Sequence, residues 1–80
     1  MDNKDMDLWI RNRGSFVVID YKLEGNEFII HAQGKLDDIS ENGDVLIKHL
    51  KHQDRIWKFN LFKIEIINYS FDKLRINNET

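Results

Sequence analysis

Eighty residues without a cysteine exclude a disulfide framework and a thiolate metal site, and they leave one small domain that depends on a single hydrophobic core. Hydrophobic residues make up 41% and charged residues 32%, the balance of a folded domain. No apolar run approaches the roughly 20 residues of a membrane span, and the start Met1-Asp2-Asn3-Lys4-Asp5-Met6-Asp7 is the reverse of a basic signal peptide, so a cytoplasmic protein with no membrane association is expected. The net charge of −2 conceals a division along the chain. Asp20 to Asp44 holds seven acids against two bases, and Val45 to Lys63 holds five bases against one acid, which predicts a bipolar molecule.

Residues 1–14 read as a flexible tail carrying an apolar plug, Leu8-Trp9-Ile10, expected to close one end of the core as a short strand or helical turn. The competing reading makes Trp9 an exposed anchor for a partner. A single domain is expected over 15–76, beginning with a long β-hairpin from Ser15 to Leu36 with its turn at Gly25-Asn26. That turn sets Leu23 opposite Phe28, Tyr21 opposite Ile30, Ile19 opposite Ala32 and Val17 opposite Gly34 on one oily face. The other face carries Asp20, Lys22, His31, Gln33 and Lys35. At Gly34 the missing side chain allows a sharp bend or a close neighbour. The strand then runs through Leu36 and Ile39 to the hairpin turn Asn42-Gly43, which places Ile39 opposite Leu46.

A third strand is predicted from Val45 to Lys51, then a loop at His52-Gln53-Asp54 that pairs His49 with Trp57, Ile47 with Phe59 and Val45 with Leu61. From Trp57 to Leu61 apolar residues fall on odd positions, and from Phe62 to Ile66 on even ones, so a tight turn at Phe62-Lys63 leads into a fifth strand, Ile64 to Tyr69. Phe71 to Ile76 adds a sixth short strand or a helical turn, and 77–80 frays. The expected fold is thus mainly β, a small antiparallel SH3-like or Sm-like barrel of five or six strands. Its core is predicted as Val17, Ile19, Tyr21, Leu23, Phe28, Ile30, Leu36, Val45, Ile47, Trp57, Phe59, Leu61, Ile64 and Ile66. The alternative is α+β, with one helix at about 44–53 on a curled antiparallel sheet, since Leu46, Leu50, Trp57 and Leu61 also lie near a helical period and Asp44 is a legitimate N-cap.

Val18-Ile19-Asp20-Tyr21, Gly25, Gly34-Lys35-Leu36-Asp37-Asp38-Ile39, Val45-Leu46-Ile47 and the alternation from Ile56 to Ile67 together resemble the small barrel of YolD-like proteins and, more distantly, the Sm-like core of WYL domains. The resemblance covers roughly residues 16–67 and implies a small barrel. The proline-containing motif upstream of the YolD-like barrel has no counterpart in this proline-free chain, and Gly34 to Leu46 does not reproduce the Sm RNA-binding signature.

Two charged surfaces are the candidate sites. The basic set is Lys48, Lys51, Arg55, Lys58 and Lys63, with Leu46, Leu50 and Ile56 between the lysines of the outer strand face, an arrangement with which small barrels bind nucleic acid. The acidic set is Glu24, Glu27, Asp37, Asp38, Glu41 and Asp44, suited to a basic partner surface. His49 and His52 point to opposite faces if their segment is a strand, so no metal site is expected there. Asp38-x-Ser40-x-Asn42-Gly43-Asp44 matches half of a calcium loop, but His49 stands where the closing glutamate belongs, and a hairpin turn explains the same residues. No catalytic constellation emerges and no cofactor is expected; a histidine-based ribonuclease is the distant enzymatic reading. The expected function is a non-enzymatic binding module acting by protein–protein interaction as a regulator or complex subunit, the kind of small chain common among accessory genes of phages and mobile elements. Nucleic-acid binding through the 45–63 hairpin is the alternative, and self-pairing through edge strands is compatible with both.

Overall fold

The strand period decides which side chains reach the core. In β1 (Phe16–Leu23) the alternate residues Val17, Ile19 and Tyr21 are buried, and in β2 (Ile30–Ile39) the buried set is Ala32, Gly34, Leu36 and Ile39. Leu36 and Ile39 are three apart, and both face inward because a bulge at Asp37 shifts the register between Leu36 and Asp38. β3 (Asp44–Lys48) buries Val45 and Ile47, and β4 (Ile56–Asn60) buries Phe59. A single 3-10 turn, Leu61–Lys63, leads into β5 (Ile64–Asp72). These elements and the helix α1 (Met6–Arg11) lie within residues 6–72, which the computed structural model describes.

The five strands form one antiparallel sheet in the order β4-β3-β2-β1-β5, and α1 is the short helix of a mainly β fold. The sheet is curled and does not close, so in place of the expected barrel it is the curled antiparallel sheet of the alternative, and β4 and β5 are both edges. Its curl is visible in one contact. β1 and β4 are three ladder steps apart, about 14 Å in a flat sheet, yet the rings of Tyr21 and Phe59 are 4.4 Å apart. The two halves of the sheet therefore face each other, and the apolar layer between them is the core.

Gly34 makes the curl possible. A Cβ at this position would stand 2.1 Å from the Lys48 carbonyl oxygen and 2.7 Å from its carbon, and φ here is +155°. β2 and the end of β3 approach so closely that no side chain fits between them. The bend foreseen at this glycine is present, together with the close neighbour.

The helix spaces Met6 and Trp9 three residues apart on the face turned to the sheet, so both meet the core. Trp9 is fully buried and packs edge-on against Phe71, with ring centroids 4.9 Å apart, and against Tyr69 at 5.6 Å. The plug at residues 8–10 is thus a helical turn, and Trp9 is a core residue, not an exposed anchor. Met6 and Asp7, read as tail, belong to the helix. Past the helix Gly14 takes φ +91°, and its N–H donates to the Leu36 carbonyl at 2.8 Å, which ties the helix end to β2.

Several sequence expectations need correction. The β1–β2 pairing keeps the predicted register from Val17–Gly34 to Tyr21–Ile30 but stops there. Leu23 pairs with Ile64 of β5, and Leu23 and Phe28 are 43% and 79% exposed, so neither is a core residue. Ile39 opposes Val45, not Leu46, because Ser40 and Asp44 are the hydrogen-bonded pair that closes the turn, which leaves three residues, 41–43, in it where two were expected. Val45 faces Phe59 and Ile47 faces Trp57, two residues from the expected partners. The inward faces are preserved, but the connecting loop spans 49–55, and β3 ends at Lys48. Residues 44–48 form a strand, so the alternative helix at 44–53 is absent. The phase switch near Phe62 is the 3-10 turn, and β5 extends three residues beyond Tyr69. The sixth element at 71–76 is represented by Phe71 and Asp72, which belong to β5; its remainder, the frayed 77–80 and the first five residues of the tail lie outside the described residues.

Two substitutions test this core. Gly34→Ala should lower stability by about 3 kcal/mol or more, because backbone must move to admit one methyl group. Phe59→Ala should cost about 3–5 kcal/mol. Chemical denaturation of both variants measures these losses, and a parent-like midpoint for either would refute the packing described.

Candidate interaction surfaces

The predicted basic set is divided by the structure. Lys48 and Lys58 do stand on the outer face of the β3–β4 hairpin, each beside an apolar cross-strand partner, Ile56 and Leu46 respectively. Lys48 Nζ lies 3.6 Å from Asp37 Oδ2, an ion pair that joins the two predicted surfaces and removes both residues from either. Lys58 borders a groove of about 620 Å³ that is also lined by Asp38 and Asp44, so it shares that groove with two residues of the predicted acidic set. Lys63 lies on the 3-10 turn, where its carbonyl accepts from the Glu24 N–H at 3.3 Å. Lys51 and Arg55 remain as bases of the exposed 49–55 loop. Trp57 and Phe59, the ring platforms that nucleic-acid binding on this hairpin would use, belong to the inward face.

The 49–55 loop is built on His49. Its ring Nδ1 accepts from the backbone N–H groups of Lys51 and His52, both at 3.1 Å, while the His49 backbone N–H donates to the Arg55 carbonyl at 3.0 Å. A nitrogen that accepts two N–H donors carries no proton, so the loop requires neutral imidazole. Partial desolvation, then the positive charges of His52, Arg55 and Lys51, lower the His49 pKa below the ordinary 6.5. The loop also brings the His49 and His52 rings to 5.0 Å, a proximity that the strand reading had excluded. No group of three or more metal-ligating side chains forms among the described residues.

The acidic set is divided too. Asp38 pairs with Arg13 at 3.0 Å and caps the Ile39 N–H at 2.9 Å. Asp44 accepts from Asn60 Nδ2 at 2.9 Å, and the half calcium loop is a hairpin turn in which Ser40 and Asp44 are joined by hydrogen bonds. Glu24, Glu27 and Glu41 are exposed. The loops that carry them leave opposite ends of β2, yet the curl returns both to the 3-10 turn. The Glu24 N–H donates to Lys63, the Leu61 N–H donates to Gly43 at 2.8 Å, and the Phe62 ring lies over Gly43. Asn60 secures this junction: its Oδ1 accepts from the Phe62 N–H at 2.9 Å, and its Nδ2 donates to the Asn42 carbonyl at 3.0 Å. One end of the molecule therefore gathers the acidic loops, and the 49–55 loop lies at the other end of the β3–β4 hairpin.

Large apolar side chains are exposed at both ends. Leu23, Phe28, Ile29 and Phe62 stand at the acidic end, the last three at least half exposed, and Leu50 and Ile56 stand at the other. Among these, Phe28 is the most exposed large hydrophobic residue of the described chain. Asn26 shapes its loop by accepting the Phe28 N–H on Oδ1 at 2.9 Å.

A further array spans three strands of the outer face. Asp20 on β1 hydrogen-bonds His31 Nδ1 at 2.5 Å through one carboxylate oxygen and accepts from Asn68 Nδ2 at 3.1 Å through the other. The facing of Asp20 and His31 follows from the hairpin register; Asn68, 48 positions from Asp20, was not foreseen. The carboxylate orients the half-exposed imidazole through Nδ1. What class of protein this is finds no outside guide: no protein-family model matches the chain, and no curated protein or solved structure is found similar to it. No helix among the described residues is long and apolar enough to cross a membrane.

The neutral-histidine requirement sets a pH dependence. A base whose folded pKa is depressed contributes stability that is fully present above its unfolded value, near 6.5, and is lost as pH falls toward the folded value. Unfolding free energy should therefore decline as pH drops below that point. In His49→Ala this part of the decline should disappear, so the difference between the two pH profiles isolates His49 from His31 and His52. Identical profiles for parent and variant would show that the loop does not depend on the ring.

Proposed function

We propose that this protein is a non-enzymatic binding module that acts by protein–protein interaction, as a regulator or as a subunit of a complex, with the 24–29 loop as its principal contact. The observation that carries the reading is Phe28, 79% exposed beside Ile29 at 61% on a loop that also carries Glu24 and Glu27. An aromatic ring held in water loses free energy that burial would recover, about 1.5–3 kcal/mol for a side chain of this size. A displayed aromatic group with an aliphatic neighbour and a charged rim has the composition of a contact hot spot. The cost of exposing it is explained by a surface that covers it.

Nucleic-acid binding through the 45–63 hairpin is the second reading, favoured by Lys51 and Arg55 on an exposed loop with Leu50 and Ile56 beside it. It is weakened by the Lys48–Asp37 pair and by the inward Trp57 and Phe59. A cytoplasmic setting suits a cysteine-free chain.

Affinity capture from host lysate, with and without nuclease, separates the readings. A protein partner that survives nuclease and is lost with Phe28→Ser supports the module. Capture that vanishes with nuclease and is lost with Lys51→Glu/Arg55→Glu, while Phe28→Ser leaves it intact, replaces it with the nucleic-acid reading. Oligonucleotide affinity would then fall steeply with salt.

A further inference from the structure

The two ends of the molecule are complementary in shape as well as charge. At the acidic end Phe28 projects from the loop that also carries Glu24 and Glu27. Near the other end, a hollow of about 300 Å³ is lined by Phe16, Gln33, Gly34, His49, Leu50 and Lys51. Its walls are mainly apolar, its floor is the side-chain-free surface of Gly34, and Lys51 stands at its rim with Arg55 on the same loop. A phenyl ring carried by an acidic loop matches the hollow in size, polarity and charge, and this chain itself carries such a ring.

We propose that the occupant of this hollow is Phe28 of a second copy of the same chain, docked head to tail with Glu24 and Glu27 against Lys51 and Arg55. Knob and hollow lie on different parts of the surface, and in the head-to-tail arrangement each copy uses only one of them on a given partner. The contact is heterologous: each copy offers a free knob at one end and a free hollow at the other, and association proceeds to a ring or an open chain. Apolar burial supplies the attraction, and the opposed charges select the orientation and speed encounter. This inference rests on the reading of the Phe28 loop as a contact element and names its occupant.

Sedimentation velocity on the purified full chain tests it over a concentration series, at about 0.01 M and about 1 M salt, where charges at this range are respectively unscreened and screened. The expected result is mass that grows with concentration, with association at least about tenfold weaker at high salt. Phe28→Ser should remain monomeric over the same range. Glu24→Lys/Glu27→Lys and Lys51→Glu/Arg55→Glu should each be monomeric alone, and their equimolar mixture should regain association. These exposed-loop changes leave the core untouched, and regained association in the mixture shows that both variants are folded. A parent chain monomeric throughout overturns the proposal, as does association that the variants leave unchanged or a mixture of folded variants that stays monomeric. Lysate capture through Phe28 uses dilute bait and a different partner, so a monomeric parent would leave the binding-module reading intact.

Discussion

At Gly34 the Lys48 carbonyl occupies the space where any other residue would place its Cβ. The bend allowed by this contact folds the β1–β2 hairpin onto β3–β4, which brings Tyr21 against Phe59 across four strands. Without it, each face of a flat sheet would remain open to water, and a chain of this length has too few residues to cover both. The apolar faces instead cover one another, with Trp9 closing one part of the layer and Leu61 another. Both are fully buried, and they come from a helix and a 3-10 turn that contribute little else to the core.

The same bend determines the surfaces. Because β2 turns through Gly34, the 24–29 loop and the 40–43 turn converge on residues 61–63, and three acids from distant parts of the sequence share one end. The hollow beside Leu50 is the outer side of the same contact. A charge division that runs along the chain thereby becomes a division in space, although incompletely. Lys63 lies among the acids, and the Lys48–Asp37 pair sits between the ends. Lys35 and Lys48 also oppose each other in the ladder, a like-charge pairing that the nearby Asp37 carboxylate offsets.

What could be read from the sequence was governed by side-chain parity. Val17, Ile19 and Tyr21 alternate with polar neighbours, and the switch from odd to even at Leu61–Phe62 marks the 3-10 turn, so strands and their inward faces were legible. Register was less so, since a slip of two residues preserves the face. This is how Ile47 could be assigned to Phe59 when it meets Trp57. The interval from Leu36 to Ile39 was a usable signal for a bulge, because two core residues three apart on a strand need an extra residue between them. The exposure of Phe28 could not be read in this way. Alternation places it in the core, and only the early end of the β1–β2 ladder, with Leu23 turning to Ile64, puts it in water. Asn68 beside Asp20 was equally hidden, since it depends on β5 crossing to the far edge of the sheet next to β1.

The early end of that ladder also explains why a loop and not a strand edge carries the principal contact. The β1–β2 ladder stops at Tyr21–Ile30 and the Leu23 carbonyl accepts from the Asn26 N–H within the turn, which leaves residues 24–29 outside any ladder. A loop free of ladder register can display Phe28 and Ile29 on consecutive positions, whereas a strand would send them to opposite faces. The edges β4 and β5 offer backbone groups to any extended segment and discriminate little among them. A single aromatic ring on a loop that also carries two carboxylates discriminates by shape and charge together, and it is placed at the end of the molecule where neighbouring acids strengthen the same field.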